Sequence, residues 1–407
     1  MKKLGRLLKN QNGVALLITL IAVLIMIFMA VEIGYNTQVE LKVGASQLDR
    51  LKAYYLAKSG IQISLLRINA YKVVQQRFGS QLGANKSDLD MIWSFPFAWP
   101  PILPAEAGSF DKEAVKKVMK ETFIDGTFQT QIEGESGKVD INDLASPSDS
   151  LRKATNAELV QIIQNRMNVD DDWARDHENV KPQEIINNIQ DWVSSSPDSV
   201  NGGSKTSGYG NGDPPVNPTN RPMKTLNELH YVKGVTDDIY NLLAPRLTVY
   251  GVKGINVNYA GAQVIQGLDK NMTAEIAQKV VDHRTDPKGG PFQGQQDFYA
   301  FLQQQGINTQ TFDTNPVIPI LYDSEVNFSI KSTGIYGKAQ REIVAIVYDF
   351  DKVKGQLAVL VTGSPSPAAA GATPLPSPVP SPSPAANSTV AGPPPSGPPQ
   401  IVYWEEF

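Results

Sequence analysis

VALLITLIAVLIMIFMAV, residues 14–31, carries no charge and follows MKKLGRLLKNQNG, residues 1–13, which holds Lys2, Lys3, Arg6 and Lys9 and no acid. As a helix rising 1.5 Å per residue, the uncharged run spans roughly 27 Å, close to the hydrocarbon thickness of a bilayer. The basic flank is expected on the cytoplasmic side and the rest of the chain across the membrane. An ordinary signal peptide has a shorter apolar core that ends at a small-residue cleavage site. Here the pattern continues without a break. Beyond Glu32, apolar positions recur at helical spacing through Leu41, Ala45, Leu48, Leu51, Tyr55 and Ile61. The expectation is one helix of about 50 residues, half in lipid and half in water.

Composition narrows the rest. With 407 residues, 41% of them hydrophobic, the chain is long enough for two or three folded units. A formal net charge of -4 argues against a general nucleic-acid binder, which would carry a basic excess. The absence of cysteine excludes disulfides, thiolate metal sites and a cysteine nucleophile. The three histidines, His177, His230 and His283, lie far apart in sequence and offer little for a zinc site or a triad. No Walker loop, GxSxG or HExxH motif occurs, so nothing points to an enzyme.

Two regions alternate apolar and polar residues as strands do. Phe123–Leu144, broken by Gly126, Gly134 and Gly137, is predicted as a hairpin, and Val326–Phe350 as a second one around Gly334 and Gly337. Between them the pattern is mainly helical, with Thr225 and Thr273 as N-caps and a capping box completed by Glu228. Two short hairpins are poor folding units alone. The simplest arrangement is therefore one α+β domain with an all-α domain inserted in it. Residues 360–400 are dominated by Pro, Ser, Ala and Gly, carry no charge and read as a disordered linker. The aromatic tail Ile401–Phe407 reads as a possible final strand returning to the domain.

A basic leader ending in Gly13 and joined directly to the apolar run resembles a prepilin-type signal, which a membrane peptidase cuts after the glycine. The resemblance implies processing between Gly13 and Val14. Pilins and major pseudopilins usually carry Glu at the fifth mature position; here it is Ile18, as in K-type minor pseudopilins. Ala53–Ile61 resembles the end of the pseudopilin helix with its small-residue face, and Lys138–Asn142 resembles the family's strand leading to an Asn-rich turn. On these features the chain is identified as a member of the K-type (GspK) minor pseudopilins of type II secretion.

The implied organisation is a leader (1–13), a transmembrane and pilin-type long helix (14–70) and the first part of a pilin-like α+β domain (71–145). An inserted helical domain (146–318), the second part of the pilin-like domain (319–359), the linker (360–400) and the last strand (401–407) follow. The implied role is to form or cap the pseudopilus tip and support export of folded proteins across the outer membrane. The expected partners are other minor pseudopilins, the major pseudopilin, the prepilin peptidase and the inner membrane. The anchor is single-pass, with the C-terminal domain in the periplasm of a Gram-negative bacterium.

Family members also bind calcium in a loop after an Asp-Trp pair. Asp191-Trp192 begins such a loop here, and Asp198, Asn201, Asp213 and Asn220 supply further oxygen donors of the kind a hard cation takes. Ser194, Ser195 and Ser196 stand where acids are usual. Asn256-Val257-Asn258 with the helices around Val264 and Ala277 resembles a helix-hairpin-helix. That motif leaves an alternative open, a minor pilin of a type IV pilus or competence system that binds DNA. Lys279, Arg284 and Lys288 are balanced by Asp282, Asp286 and Asp297, so packing against protein is the expected use and no nucleic acid is expected. Asp170–Glu178, acidic with a lone His177, reads as a solvated acidic turn rather than a metal site.

Overall fold

A computed structural model describes residues 11–82, 86–101, 109–122, 124–206, 209, 217–286, 289–314, 317–351 and 397–407. Helix α1 (Gln11–Leu82) runs unbroken for 72 residues, which makes it about 108 Å long. No proline interrupts it. Its N-terminal portion is the one stretch among the described residues long and apolar enough to cross a membrane, and nothing in the fold buries it. Farther along, one face goes inside: Ala53, Ala57, Ile61, Ser64, Ile68 and Tyr71 are all buried. Their spacing of three and four residues puts them in one stripe along the helix.

That stripe lies on an antiparallel sheet of five strands in the order β1-β2-β7-β8-β9. Its members are β1 (Phe97–Trp99), β2 (Thr127–Gly134), β7 (Asn327–Tyr336), β8 (Ala339–Tyr348) and β9 (Gln400–Glu406). The inner residues of β7 shrink along the strand: Phe328, Ile330, Ser332, Gly334. Helix and strand converge as they do. A Cβ on Gly334 would lie 2.2 Å from the carbonyl oxygen of Ala53 and 2.4 Å from the amide nitrogen of Ala57. A Cβ on Gly60 would lie 2.2 Å from Ser332 Oγ, and that hydroxyl donates to the Ala57 carbonyl at 2.7 Å. At the wide end, Tyr71, Trp93 and Phe328 pack edge to face, with centroids 5.2 to 6.3 Å apart. Trp93 comes from α2 (Lys86–Ser94), which folds back on α1. Helix α3 (Ser109–Glu121) precedes β2.

The segment 123–144 is not a hairpin. Strand β2 pairs with β1 and with β7, so its long partner lies some two hundred residues away in sequence. Val139–Asp140 is instead a two-residue strand, β3, which leaves the sheet and runs parallel to β4 (Leu247–Thr248). Gly134, Gly137 and the close quarters around them divert the chain, since a Cβ on Gly137 would meet the Tyr259 backbone at 2.5 Å.

Residues 135–326 build a second core between β2 and β7. Its helices are α4 (Asp149–Val169), α5 (Asp171–Asp176), α6 (Pro182–Val193), α7 (Asp237–Leu243), α8 (Ala262–Gly267), α9 (Ala274–Thr285), α10 (Gln295–Gln304) and α11 (Gln310–Thr314). A two-residue parallel ladder joins β5 (Ile255–Asn256) and β6 (Ile320–Leu321) near the return to the sheet. Leu159, Ile163, Ile186, Ile189, Phe292 and Phe298 are fully buried at its centre. Thr273 caps α9 by accepting from Ile276 N, but the capping box at Thr225 does not form. Residues Leu226–Tyr231 make a 3-10 turn, and Glu228 accepts from Lys224 N at 2.8 Å and from Trp192 Nε1 at 3.4 Å.

The exit from β2 and the entry to β7 are fastened by Glu325. Its buried carboxylate accepts from Ser136 N and Oγ and from the backbone amides of Val326 and Asn327, at 2.9 to 3.3 Å. Burial pushes its pKa up to about 7 even though those hydrogen bonds pull it down. At the same end of the sheet, just past β8, Lys72 on α1 donates to Asp349, Asp351 and the carbonyl of Gly397. One ammonium thus joins α1 to the residues just past β8 and to Gly397, shortly before β9.

Two outcomes follow from this packing. Gly334→Val places carbon inside the Ala53–Ala57 backbone and should destabilise the folded body by about 3 kcal/mol or more, read as a lower melting temperature of the full chain in detergent. Glu325 is raised in the folded state above 4.5, so its contribution is fully present below pH 4.5 and lost as the pH rises to about 7. A shift of that size is worth roughly 3 kcal/mol. Denaturation between pH 4.5 and 8 should show stability falling over that window, with a shallower slope in Glu325→Gln.

Candidate functional site: the anchor helix and the Asp191 loop

Gly13 and Val14 both lie within the first turns of α1, and Val14 is exposed. A Cβ on Gly13 would meet nothing within 4 Å, so no packing demand accounts for a glycine there. The exposed side chains of α1 from Val14 to Val31 are apolar except Thr19, whose hydroxyl donates back to the Leu16 carbonyl at 2.8 Å. That back-bond hides the one polar side chain from lipid.

Helix α6 ends at Val193, and the loop after it is where the oxygen donors were sought. Asp191 is buried. Its carboxylate accepts from Ser199 Oγ at 2.5 Å and from Val200 N at 2.9 Å, which folds residues 194–200 back on the helix end. A tight turn then reverses the chain, with Gly202 N donating to the Ser199 carbonyl and Ser199 N to the Gly203 carbonyl. Asn201 faces the flank of α6, bonded to the Glu184 carbonyl, to Asn188 and to Asn187. Asp198 is exposed and enters the loop through its backbone, bridged to Ser204. Asn220, with φ of +52°, donates its amide N–H to the Trp192 carbonyl. Asp213 lies outside the described residues.

Asp191 and Asn220 do meet, but around a side chain that a search for acids passes over. Lys205 is 5% exposed, and its ammonium donates to the Asp191 carbonyl at 2.8 Å, the Ser194 carbonyl at 2.6 Å and Asn220 Oδ1 at 3.3 Å. Asp198 and Asn201 are not part of this group. Among the described residues no three His, Asp or Glu side chains gather as a metal-binding group. Both carboxylate oxygens of Asp191 already accept from protein donors, and the two carbonyls and the amide oxygen already face a cation. The described donors therefore do not fit a resident calcium ion.

The helix-hairpin-helix segment is α8 and α9 with the turn 268–273 between them. Arg284 is turned inward and donates to the carbonyls of Val257 and Ala260, at 2.6 and 2.7 Å, and burial pushes it down to about 10. Lys279 pairs with Glu275 at 2.9 Å, and Lys288 lies outside the described residues. Just after β5, Asn258 donates its side-chain amide to the carbonyls of Phe292 and Tyr322. The acidic stretch at 170–178 is helix α5 with its cap. Asp170 accepts from Trp173 N, and His177 stacks on Trp173 at 3.9 Å with Nδ1 against the Trp173 carbonyl.

A cleft of about 570 Å³ opens between α4, α7, α8 and α9. Arg166, Asp238, Arg246 and the amides of Asn165, Gln263 and Gln278 line it, a set with no nucleophile beside a base. Arg166 is paired with Asp170 at 2.7 Å.

Residues 137–252 and 255–318 each match a family described as type II secretion system (T2SS), protein K. Among solved structures, the chain is similar to one in the GspK-GspI-GspJ complex of the enterotoxigenic Escherichia coli type 2 secretion system. Identity is 15%, the TM-score is 0.43, and the match covers 55% of this chain and 75% of that one. No match was found among curated proteins. The two family matches follow one another through the unit that hangs between β2 and β7, behind the long apolar helix, and over these residues the chain carries the protein K domains of type II secretion.

Proposed function

We propose that the chain forms or caps the tip of the pseudopilus and through it supports export of folded proteins across the outer membrane. One observation carries the reading: the end of the sheet from which residues 135–326 hang. Gly334 faces Ala53, on the side of the sheet nearer the apolar run, whereas Phe328 faces Tyr71, farther along α1. The insertion leaves at Gly134, which pairs with Phe328, so its bulk lies at the end of the body away from the membrane segment. A filament that grows by adding subunits at the membrane stacks each body against the one above. Bulk at the upper end would collide with a neighbour there, and only a subunit with nothing above it escapes.

Ile18 supports the same position. In family members with Glu at the fifth mature residue, the carboxylate faces the charged N-terminus of a neighbouring subunit, and an unpaired charge in lipid is costly. A subunit at the top meets no such amine, and an apolar side chain serves it better. The partners in this reading are other minor pseudopilins and the major pseudopilin, met through α1 and the sheet domain, with the prepilin peptidase acting on the leader. The anchor lies in the inner membrane and the body in the periplasm, and the protein works as a structural subunit. The DNA-binding alternative is disfavoured by the inward turn of Arg284 and the Lys279–Glu275 pair, which leave the hairpin little with which to hold phosphates.

Processing between Gly13 and Val14 should yield a cellular protein whose N-terminal sequence begins Val-Ala-Leu-Leu, and Gly13→Leu should accumulate the precursor. A mature protein starting at Met1, or well beyond Val14, would refute the junction. For the tip, quantitative labelling of sheared filaments should place the protein at one end and in few copies. Labelling along the length would exclude the capping role.

A further inference from the structure

We infer that the ammonium of Lys205 is the resident cation of the loop after α6, gathering oxygens that a divalent ion would otherwise gather, so that this loop is ordered without metal. Three acceptors surround it, two main-chain carbonyls and one side-chain amide oxygen. Carbonyl and amide oxygens are what a hard cation collects. They are also what a lysine with three protons satisfies in full, since the group has three donors and no acceptor. All three contacts require the charged form. Burial pulls Lys205 below the usual lysine value and the nearby Asp191 carboxylate pulls it back.

The charge balance points the same way. Lys205 brings one positive charge, and the one buried acid beside it is Asp191. A divalent ion would need further negative ligands. Among the described residues after Trp192, Ser194, Ser195 and Ser196 stand where such ligands would be, and Asp198 is exposed. The chain geometry is built around the lysine as well. The Asp191 carboxylate is turned away, toward Ser199 and Val200, while its carbonyl turns toward Lys205. Asn220 occupies the left-handed region, which Asn tolerates better than most residues, and its side chain thereby reaches the ammonium. Three segments, the end of α6, the loop at 205 and the return at 220, meet at one nitrogen.

The test uses the full chain in detergent. Wild-type melting curves should superimpose in millimolar calcium and in excess chelator, and calcium titrated calorimetrically should show no saturable heat. Lys205→Met leaves the Asp191 and Ser194 carbonyls and Asn220 Oδ1 without this donor. Its loop should be cut at least about tenfold faster by a non-specific protease, with the cuts mapping to residues 194–206. Asn220→Ala removes a single acceptor and should show a smaller increase at the same sites, which keeps the proposal testable if Lys205→Met fails to fold. Saturable calcium binding that raises the wild-type melting temperature and reverses with chelator would overturn the proposal. So would Lys205→Met digested at the wild-type rate.

Discussion

The body of this protein depends on how closely the backbone of α1 can approach β7. At the crossing the helix offers Ala53, Ala57 and Gly60 and the strand offers Ser332 and Gly334, so main chain lies against main chain. Dispersion falls off steeply with separation, and a seam without side chains between its partners gains contact over its whole length. The taper from Phe328 to Gly334 sets the angle of the helix across the sheet. That angle lets the first half of a 72-residue helix project free of the fold while one face of the second half is buried. The apolar run, long enough to cross a membrane, and the folded body can then share one helix without a hinge. The orientation of the sheet follows too, and with it the end from which the insertion grows.

The insertion leaves and re-enters between neighbouring strands, β2 and β7, so the sheet is closed by long-range pairing. Glu325 sits at the neck of this detour. An apolar side chain there would leave three buried amide donors without an acceptor, at about 1–3 kcal/mol each, whereas the Glu325 carboxyl meets them at a desolvation cost visible in its raised pKa. The neck is stabilised by geometry at the expense of a strained ionisation. Where two chain segments must leave one sheet edge side by side, four donors converge and the choice is hard to avoid.

Much of this was legible in the sequence, and what was missed has a common cause. The uncharged run at 14–31 and its helical continuation depend on local periodicity, which is strong over such lengths. Strands β7 and β8 alternate cleanly and are joined by a short turn at Gly337, so their pairing is local as well. Strand β2 alternates equally well, yet its partner lies far along the chain, and alternation says nothing about partners. The reading of 123–144 as a hairpin failed for that reason. The capping box at Thr225 failed because Glu228 accepts from Lys224 N, one residue before the expected cap, and also meets Trp192, a tertiary partner that spacing cannot reveal. In the loop after α6, the oxygen donors were visible but Lys205 was not. Its role depends on a left-handed Asn220 fifteen residues on and on carbonyls that carry no sequence signature.

Among the described residues, Lys72 and Lys253 share the task of Lys205. Lys72 joins α1 to Asp349, Asp351 and the Gly397 carbonyl, and Lys253, itself at φ of +61°, joins its turn to Asp140 and Asp143. Burial pulls Lys72 and Lys253 down, but their carboxylates outweigh it and hold both above the ordinary lysine value. In each case segments remote in sequence converge on one nitrogen. A chain without cysteine cannot tie such segments covalently. An ammonium has three donors and a flexible stem, and it can join three segments where a disulfide joins two. Buried pairs of this kind add little net stability, because desolvation offsets their attraction, but losing one partner strands a charge and is costly. Their physical effect is selective: the correct crossing is tolerated and displaced ones are penalised. That suits a body whose ends must be held in register, since the anchor helix, the insertion and the last strand all have to leave it in set directions.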